Sequence, residues 1–564
     1  MPTTLSALAL SALACSGSGG GEDSAATWTP DVSCPGDPGG GCPDNDGELR
    51  AGAAAVSITP VCWETWDDLD DNAEYKSTVD VYYDCGCDRL CAGDEGYPGP
   101  DEGEGDDDFQ AVWLSGFGNG RAAQSVHDEL WARAIVLDQG ETRVALVSVD
   151  LVGWFYDDVV KTRELLAEGG VHVDYVLVSA THQHEGPDTI GMWGRRLGAT
   201  GYQEDYAQLV REASVAAITQ AIDGLQTVTT LTVGAVDSST YHAQGTYNVV
   251  DDSRDPVVID EQVKAAHLAG TDGTIATLVN WGNHPEVLSS DNLAITSDFA
   301  DSLRRGVEDG VTWTTRETPG LGGTAIYVQA MVGGLMTPLH TTVMDPDGNE
   351  LREPSFQKSE SLGKLVAEMS LDAVAQGDTL AAPKLSVAAT TVTFPIDNIG
   401  FQAMYLTGVL DRNAHGYDPD RPLGLDNIPY TDTEMAVIRI GDWTLLSVPG
   451  ELFPEVAIGG YDGSHVNAPG VDFISPTNPN PPAVDEAPDG PYLRDDMNSE
   501  HAWIIGLGND ELGYMIPPYD FELDDLSPYI GEAPGDHYEE TNSLGPETVP
   551  IVEEAAARLL TWQR

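Results

Sequence analysis

Two histidines close an apolar run in VLVSATHQHEGPD, residues 176–188. Imidazoles spaced by one residue suit metal ligation or acid/base chemistry. If the strand runs on through them, its period of two puts His182 and His184 on one face. The plain alternative is a strand end that happens to be polar. Three further apolar runs end in residues of ligand type. LVNWGNHPEVL places His284 before a proline that stops the ladder, as a ligand or as a turn cap. LLSVPGELFPEV carries Glu451, either a rim carboxylate or a charge at a helix N-terminus. GLGNDELGYMIPPYDFE offers Tyr514 in a Gly- and Pro-rich loop, where a tyrosine ordinarily packs. Strand ends are where α/β domains place their chemistry, and zinc accepts imidazole nitrogen and carboxylate oxygen.

The elements that must position these residues alternate along the chain. ARAIVLD, RVALVSVDLVG, VDYVLVSA, TIATLVNWG and TAIYVQAMVGG read as strands, as do LSVAATTVTFPI and MAVIRIGDWTLLSVPG. QEDYAQLVREASVAAITQAI reads as a helix with Tyr206, Val210, Ala213 and Ala217 on one face. SFQKSESLGKLVAEMSLDAVAQ is another, burying Leu362, Val366, Met369 and Ala373, and a short helix closes the chain in TVPIVEEAAARLLTWQR. No internal repeat is visible. The pattern is α/β, with one large domain over residues 49–564.

Composition narrows the function. Of 564 residues, 93 are acidic and 26 basic, a net charge of −67. Nucleic acid binding needs a basic face, so it is excluded. No protein partner is evident. Residues 63–110 form an acidic, cysteine-bearing insertion whose carboxylates either chelate Ca²⁺ or are simply solvated. Cys34, Cys42, Cys62, Cys85, Cys87 and Cys91 match no zinc motif, which points to disulfides in an exported protein. Cys85 and Cys87 are too close to pair with each other, so each reaches out, to Cys62 or Cys91. LSALALSALA is an apolar stretch too short to span a bilayer, and Cys15 follows it. We read residues 1–15 as a signal segment of lipoprotein type with Cys15 lipidated, or alternatively as a signal cleaved after Ala14. Residues 16–48, rich in Gly, Pro, Ser and Asp, read as a flexible linker. The chain is then exported, either lipid-anchored in the cell envelope or secreted, and touches membrane only through that anchor.

Together, AGAAAVSITP, ARAIVLD…RVALVSVDL, VSATHQHEGP, NWGNHPEVL, VPGELFPEVA and ELGYMIPPYDFE…HYEETNSLGP resemble, in order, the catalytic domain of the neutral/alkaline, non-lysosomal ceramidase family. The resemblance covers most of residues 50–546. It implies a zinc amidohydrolase with His182, His284, Glu451 and Tyr514 as ligands. It also implies His184 as a substrate-facing acid/base and Tyr538 beside the reacting amide. The family carries a serine in a Gly-Asn-Leu-Ser-Pro-like strand end. Here QAMVGGLMTPL puts Met336 at that position, with Thr337 next to it as the candidate hydroxyl. The family's C-terminal β-sandwich has no counterpart in the sequence.

The expected function is cleavage of a lipid-like N-acyl (amide) substrate by metal-activated water. The alternatives are a hydrolase of another amide or an ester, or a catalytically silent calcium-binding envelope protein of the same fold. Asp150 is a candidate for a hydrogen bond to a ligand histidine, or a structural strand-end residue. Arg254 is a candidate for binding a substrate carboxylate, or it offsets the neighbouring aspartates. Asp298 is a candidate site residue or a helix cap. His127, His242, His340 and His501 stand in no motif and read as structural.

Overall fold

The structure is a computed structural model that describes residues 28–34, 45–424, 426–535 and 537–562. Its frame is three five-stranded sheets of matching order. In the first, Arg50–Ser57, Trp131–Gln139 and Thr142–Val149 run antiparallel, and Tyr175–Ala180 joins the last in parallel. In the second, Thr230–Asp237, Gln262–Gly270 and Gly273–Trp281 are antiparallel, and Thr324–Gln329 is the parallel edge. In the third, Leu385–Pro395, Tyr430–Ile440 and Trp443–Ser447 are antiparallel, and His501–Ile505 is the parallel edge.

The connections repeat as well. A helical segment joins each third strand to its parallel partner: Tyr156–Glu168, Phe299–Asp309, and Pro454–Ile458 with Leu493–Met497. A helix then packs back on the first two strands: Glu204–Asp223, Phe356–Gln376 and Thr548–Thr561. A short strand caps the far edge of each sheet. Gln226–Thr227 and Asp378–Thr379 follow their own helices, whereas Val32–Cys34 comes to the third sheet from the other end of the chain. The sequence shows no repeat, yet the fold states one unit three times.

The period of two explains how the sheets pack. Leu146 and Val144 face a central cluster shared with Leu278, Val328, Leu445 and Ile505 of the other sheets. Ala145, Val147 and Val149 face outward onto helices, among them the expected stripe Tyr206, Val210, Ala213 and Ala217. Leu362, Val366, Met369 and Ala373 join the same layer. The C-terminal helix covers the third sheet through Val552, Ala556 and Leu559. Among the described residues no helix is long and apolar enough to cross a membrane.

One expectation is adjusted. Within the segment read as linker, Val32–Cys34 pairs with Ala389–Val387, because VSC is apolar enough to extend a sheet edge. The signal segment and Cys15 lie outside the described residues. The insertion is cross-linked as expected, with Cys62–Cys87 and Cys85–Cys91 bridges, and Cys34 is disulfide-bonded too.

The sheets are also tied by charge. Asp150, just past the strand Thr142–Val149, receives Arg304 in a bidentate pair at 2.7 and 2.9 Å. Its Oδ2 also accepts from the Trp131 N–H. Arg304→Met leaves that buried carboxylate without its counter-charge, and breaking such a pair costs about 3–5 kcal/mol. Urea denaturation of the variant should show a loss of that size.

Candidate metal centre

The loops that leave the parallel strand pairs converge. In the first sheet, Val149 leads to Val152 and Ala180 to His182 and His184. In the second, Trp281 leads to His284 and Gln329 to Met336. In the third, Ser447 leads to Glu451 and Ile505 to Tyr514. Within each unit the two loops touch. His182 Nδ1 is 2.5 Å from the Val152 carbonyl, and His284 Nδ1 is 2.7 Å from the Met336 carbonyl. Glu451 stands opposite Tyr514 in a two-residue parallel ladder.

The carbonyl contacts decide the chemistry of the imidazoles. A carbonyl only accepts, so Nδ1 of His182 and of His284 carries a proton, and Nε2 is the atom left to face a metal. Both Nε2 atoms turn to one oxygen, Glu451 Oε2, at 3.4 and 3.2 Å. His184 completes the group. The three histidines offer nitrogens within 4.8 Å of one another, and their ring centroids are 4.7 to 5.5 Å apart. Both nitrogens of His184 are buried without a hydrogen-bond partner among the described residues. Glu286 Oε2 lies 3.1 Å from its Nδ1, but without hydrogen-bond alignment. Two Nε2 atoms, a carboxylate and an orphaned imidazole turned to one point form a donor set that fits a divalent metal such as zinc.

Burial and charge set the proton states. Burial, helped by His182 and His284, pulls His184 down to about 4 against the Glu286 carboxylate. Burial works against charge on His182 as well, but the Glu451 carboxylate holds it up at about 9. Burial would raise Glu451, yet His182 and then His284 hold it far below the carboxylate range. Burial, then the charge of Glu451, pushes the Tyr514 phenol well up. A bound cation would reverse that last effect.

A cavity opens beside this cluster. His182, His184, Glu451, Tyr514 and Tyr538 line it. Tyr538 is 42% exposed at its mouth, with its ring 6.3 Å from that of Tyr514. The sequence candidates His182, His184, His284, Glu451, Tyr514 and Tyr538 are therefore brought together.

The reason given for the histidine pair fails, however. The strand ends at Ala180, and His182 takes φ 63°, so the imidazoles do not share a strand face. They meet because the chain turns between them. Gln183 holds that turn, donating to the Asp150 carbonyl and accepting from the Glu185 N–H.

Four lesser candidates take structural roles. The Asp150 carboxylate is occupied by Arg304 and touches no ligand histidine; only its backbone carbonyl supports the loop. Arg254 is buried and spent on Asp520, Glu539 and Glu540, which leaves no arm for a substrate carboxylate; it anchors the loop that carries Tyr538. Asp298 caps the helix Phe299–Asp309 and accepts from Ser359 Oγ. Thr337 is not among the cavity's lining residues; its hydroxyl donates to Glu286 Oε1 at 2.5 Å, behind His184. In the insertion, Asp68, Asp70 and Asp80 bring oxygens within 4.8 Å of one another. The Asp68 and Asp80 carboxylates already accept backbone N–H groups.

Several positioning residues carry no motif. Gln329 Nε2 donates to the carbonyls of Thr181 and Asn283, each one residue before a histidine ligand candidate. Arg121 holds the histidine loop through the His184 carbonyl and the Glu185 carboxylate. Gly116, at φ +92°, must be glycine, since a Cβ there would sit 2.2 Å from the His184 ring. A polar residue ending the otherwise apolar strand TAIYVQ was the one available signal for Gln329.

No protein-family model and no curated protein matches the sequence. Solved structures match the fold. One is neutral ceramidase from Pseudomonas aeruginosa, at a TM-score of 0.56 and 15% identity, covering 92% of this chain and 75% of that one. Another is a ceramidase complexed with C2, at 0.56 and 15%, covering 91% and 75%. The chain thus has the neutral ceramidase fold, as the resemblance implied.

Gln329→Leu should weaken metal binding about 10–100-fold, the usual effect of losing a group that orients ligands. Competition against a fluorescent zinc chelator measures this. An unchanged affinity would remove Gln329 from the site.

Proposed function

We propose that the chain is a zinc-dependent amidohydrolase that cleaves a lipid-like N-acyl compound. The observation that carries this reading is the pair of Nε2 atoms that the Val152 and Met336 carbonyls turn toward one oxygen of Glu451. The likeness to ceramidases supports the bond type. His182, His284, Glu451 and Tyr514 would hold the ion, with His184 close enough to share in it. Bound there, zinc would polarise the amide carbonyl and make water a nucleophile near neutral pH.

The rest falls to side chains. His184, which burial keeps neutral, takes a proton at an unpaired ring nitrogen and returns it to the leaving amine. Tyr538 donates its phenolic O–H to the carbonyl oxygen. Removing one such donor costs about 10²–10³ in rate, so Tyr538→Phe should lose that much. Thr337 acts through Glu286, holding the carboxylate beside His184. Arg254 and its three carboxylates fix the backbone around Tyr538. We also hold the chain to be exported, with Cys15 as its anchor.

One observation favours a wider substrate range. Met336 offers a carbonyl to His284 and no hydroxyl, and Thr337 is turned to Glu286. Slow cleavage of ceramide, with faster cleavage of another amide or an ester, is therefore expected.

The test is hydrolysis of an N-acyl panel with and without a chelator. Activity should vanish with the chelator and return with zinc. His284→Ala should lose both metal and turnover. Chelator-resistant hydrolysis, or none on any substrate, would refute the proposal.

A further inference from the structure

The cavity beside the histidines has about 590 Å³ of empty space, part of it open to solvent. Its far walls are hydrocarbon: Val152, Phe155, Ile190, Met192, Phe401 and Leu410. Tyr405 and Asn542 also line the cavity, and Glu511 adds a carboxyl. Glu511 is 6% exposed and lines the cavity. Its Oε1 accepts from the Gly513 N–H at 2.8 Å. Its Oε2 is buried and has no hydrogen-bond partner among the described residues.

The chain makes room for this group. A Cβ added at Gly153 would fall 2.7 Å from Glu511 Cβ and Cγ. The neighbouring Asp510, not Glu511, receives Arg412. Burial, then the Glu451 carboxylate, pushes the Glu511 carboxyl well up, and His182 pulls the other way. A carboxyl oxygen left unpaired in an apolar wall is unfavourable unless a ligand completes it.

We propose that Glu511 sets substrate specificity by pairing with a hydrogen-bonding group, a hydroxyl or an amino group, on the acyl half of the substrate. A plain hydrocarbon chain fits the walls but leaves Oε2 unsatisfied. A polar group close to the scissile carbonyl satisfies it. Sites built to hydrogen-bond a substrate group reject analogues that lack it far more strongly than apolar pockets reject an extra methylene. This inference rests on the amidohydrolase reading for which bond is cut, but not for what the cavity binds.

The experiment is calorimetric binding of three acids to the zinc-loaded protein: octanoate, 2-hydroxyoctanoate and 2-aminooctanoate. One of the substituted acids should bind about tenfold or more tightly than octanoate, and which one identifies the group. Glu511→Leu should erase that preference without loss of zinc. Glu511→Gln, which keeps an acceptor and the shape, should retain a hydroxyl preference and lose an amino preference. Equal affinity for all three acids, no binding of any, a preference that survives in Glu511→Leu, or loss of zinc from that variant would each overturn the proposal. The acids bind without being cleaved. If the preference holds while no amide is turned over, the hydrolase reading fails alone. If amides are cleaved with no preference, the role of Glu511 fails alone.

Discussion

The amide of Gln329 is the interaction on which the centre depends. It ends the parallel edge strand of the second sheet and is fully buried. One N–H reaches across to the Thr181 carbonyl of the first sheet's loop, and the other holds the Asn283 carbonyl of its own sheet. Its oxygen accepts from the Asn283 N–H and the Tyr327 hydroxyl. Two imidazoles on different sheets thus hang from one rigid planar group. Asn280 does the same for the third sheet, donating to the carbonyls of Val328, Gln329 and Ile504. Asn509 links that sheet back to the first through Val178. Buried polar groups are costly unless satisfied, and Gln329, bonded at both ends of its amide, fixes the first two sheets in one arrangement.

The threefold repetition gives this arrangement its logic. Each unit ends in two neighbouring loops, one after its third strand and one after its parallel strand. Equivalent positions then hold different chemistry: the Val152 carbonyl and His182, then His284 and the Met336 carbonyl, then Glu451 and Tyr514. A carbonyl in one unit orients an imidazole, and in the third unit both positions carry side chains of ligand type. Charge reinforces the geometry. Only 26 basic residues face 93 acidic ones, and buried arginines sit at the loops that matter. Arg121 pins the histidine loop, Arg254 the Tyr538 loop, Arg304 the strand end at Asp150, and Arg412 the residue before Glu511.

Much of this was legible in the sequence. Long apolar runs ending in His, Glu or Tyr gave the site residues, because a strand end is where period-two burial stops and a polar side chain becomes affordable. The helix stripes were legible for the same reason. The strands Thr230–Asp237 and Gln262–Gly270 were not, since TLTVGAVD and QVKAAHLAG mix polar residues into their buried faces. Lys264, for example, is buried only because Asp260 pairs with it. The histidine pair was found for the wrong reason, as a left-handed residue cannot be read from His-Gln-His. Asp298 was legible as a helix cap, whereas the partners of Asp150 and Arg254 lie far away in sequence and could not be read. Gln329, Glu286 and Glu511 act through contacts that no local pattern encodes.

The account stands or falls on one ion at the meeting point of the three sheets. Anomalous diffraction at the zinc absorption edge, from crystals grown with zinc, tests this directly. A single strong peak bonded to His182, His284, Glu451 and Tyr514 at about 2.0–2.2 Å is expected. A strong peak only at the Asp68, Asp70 and Asp80 carboxylates, or none at the histidines, would contradict it.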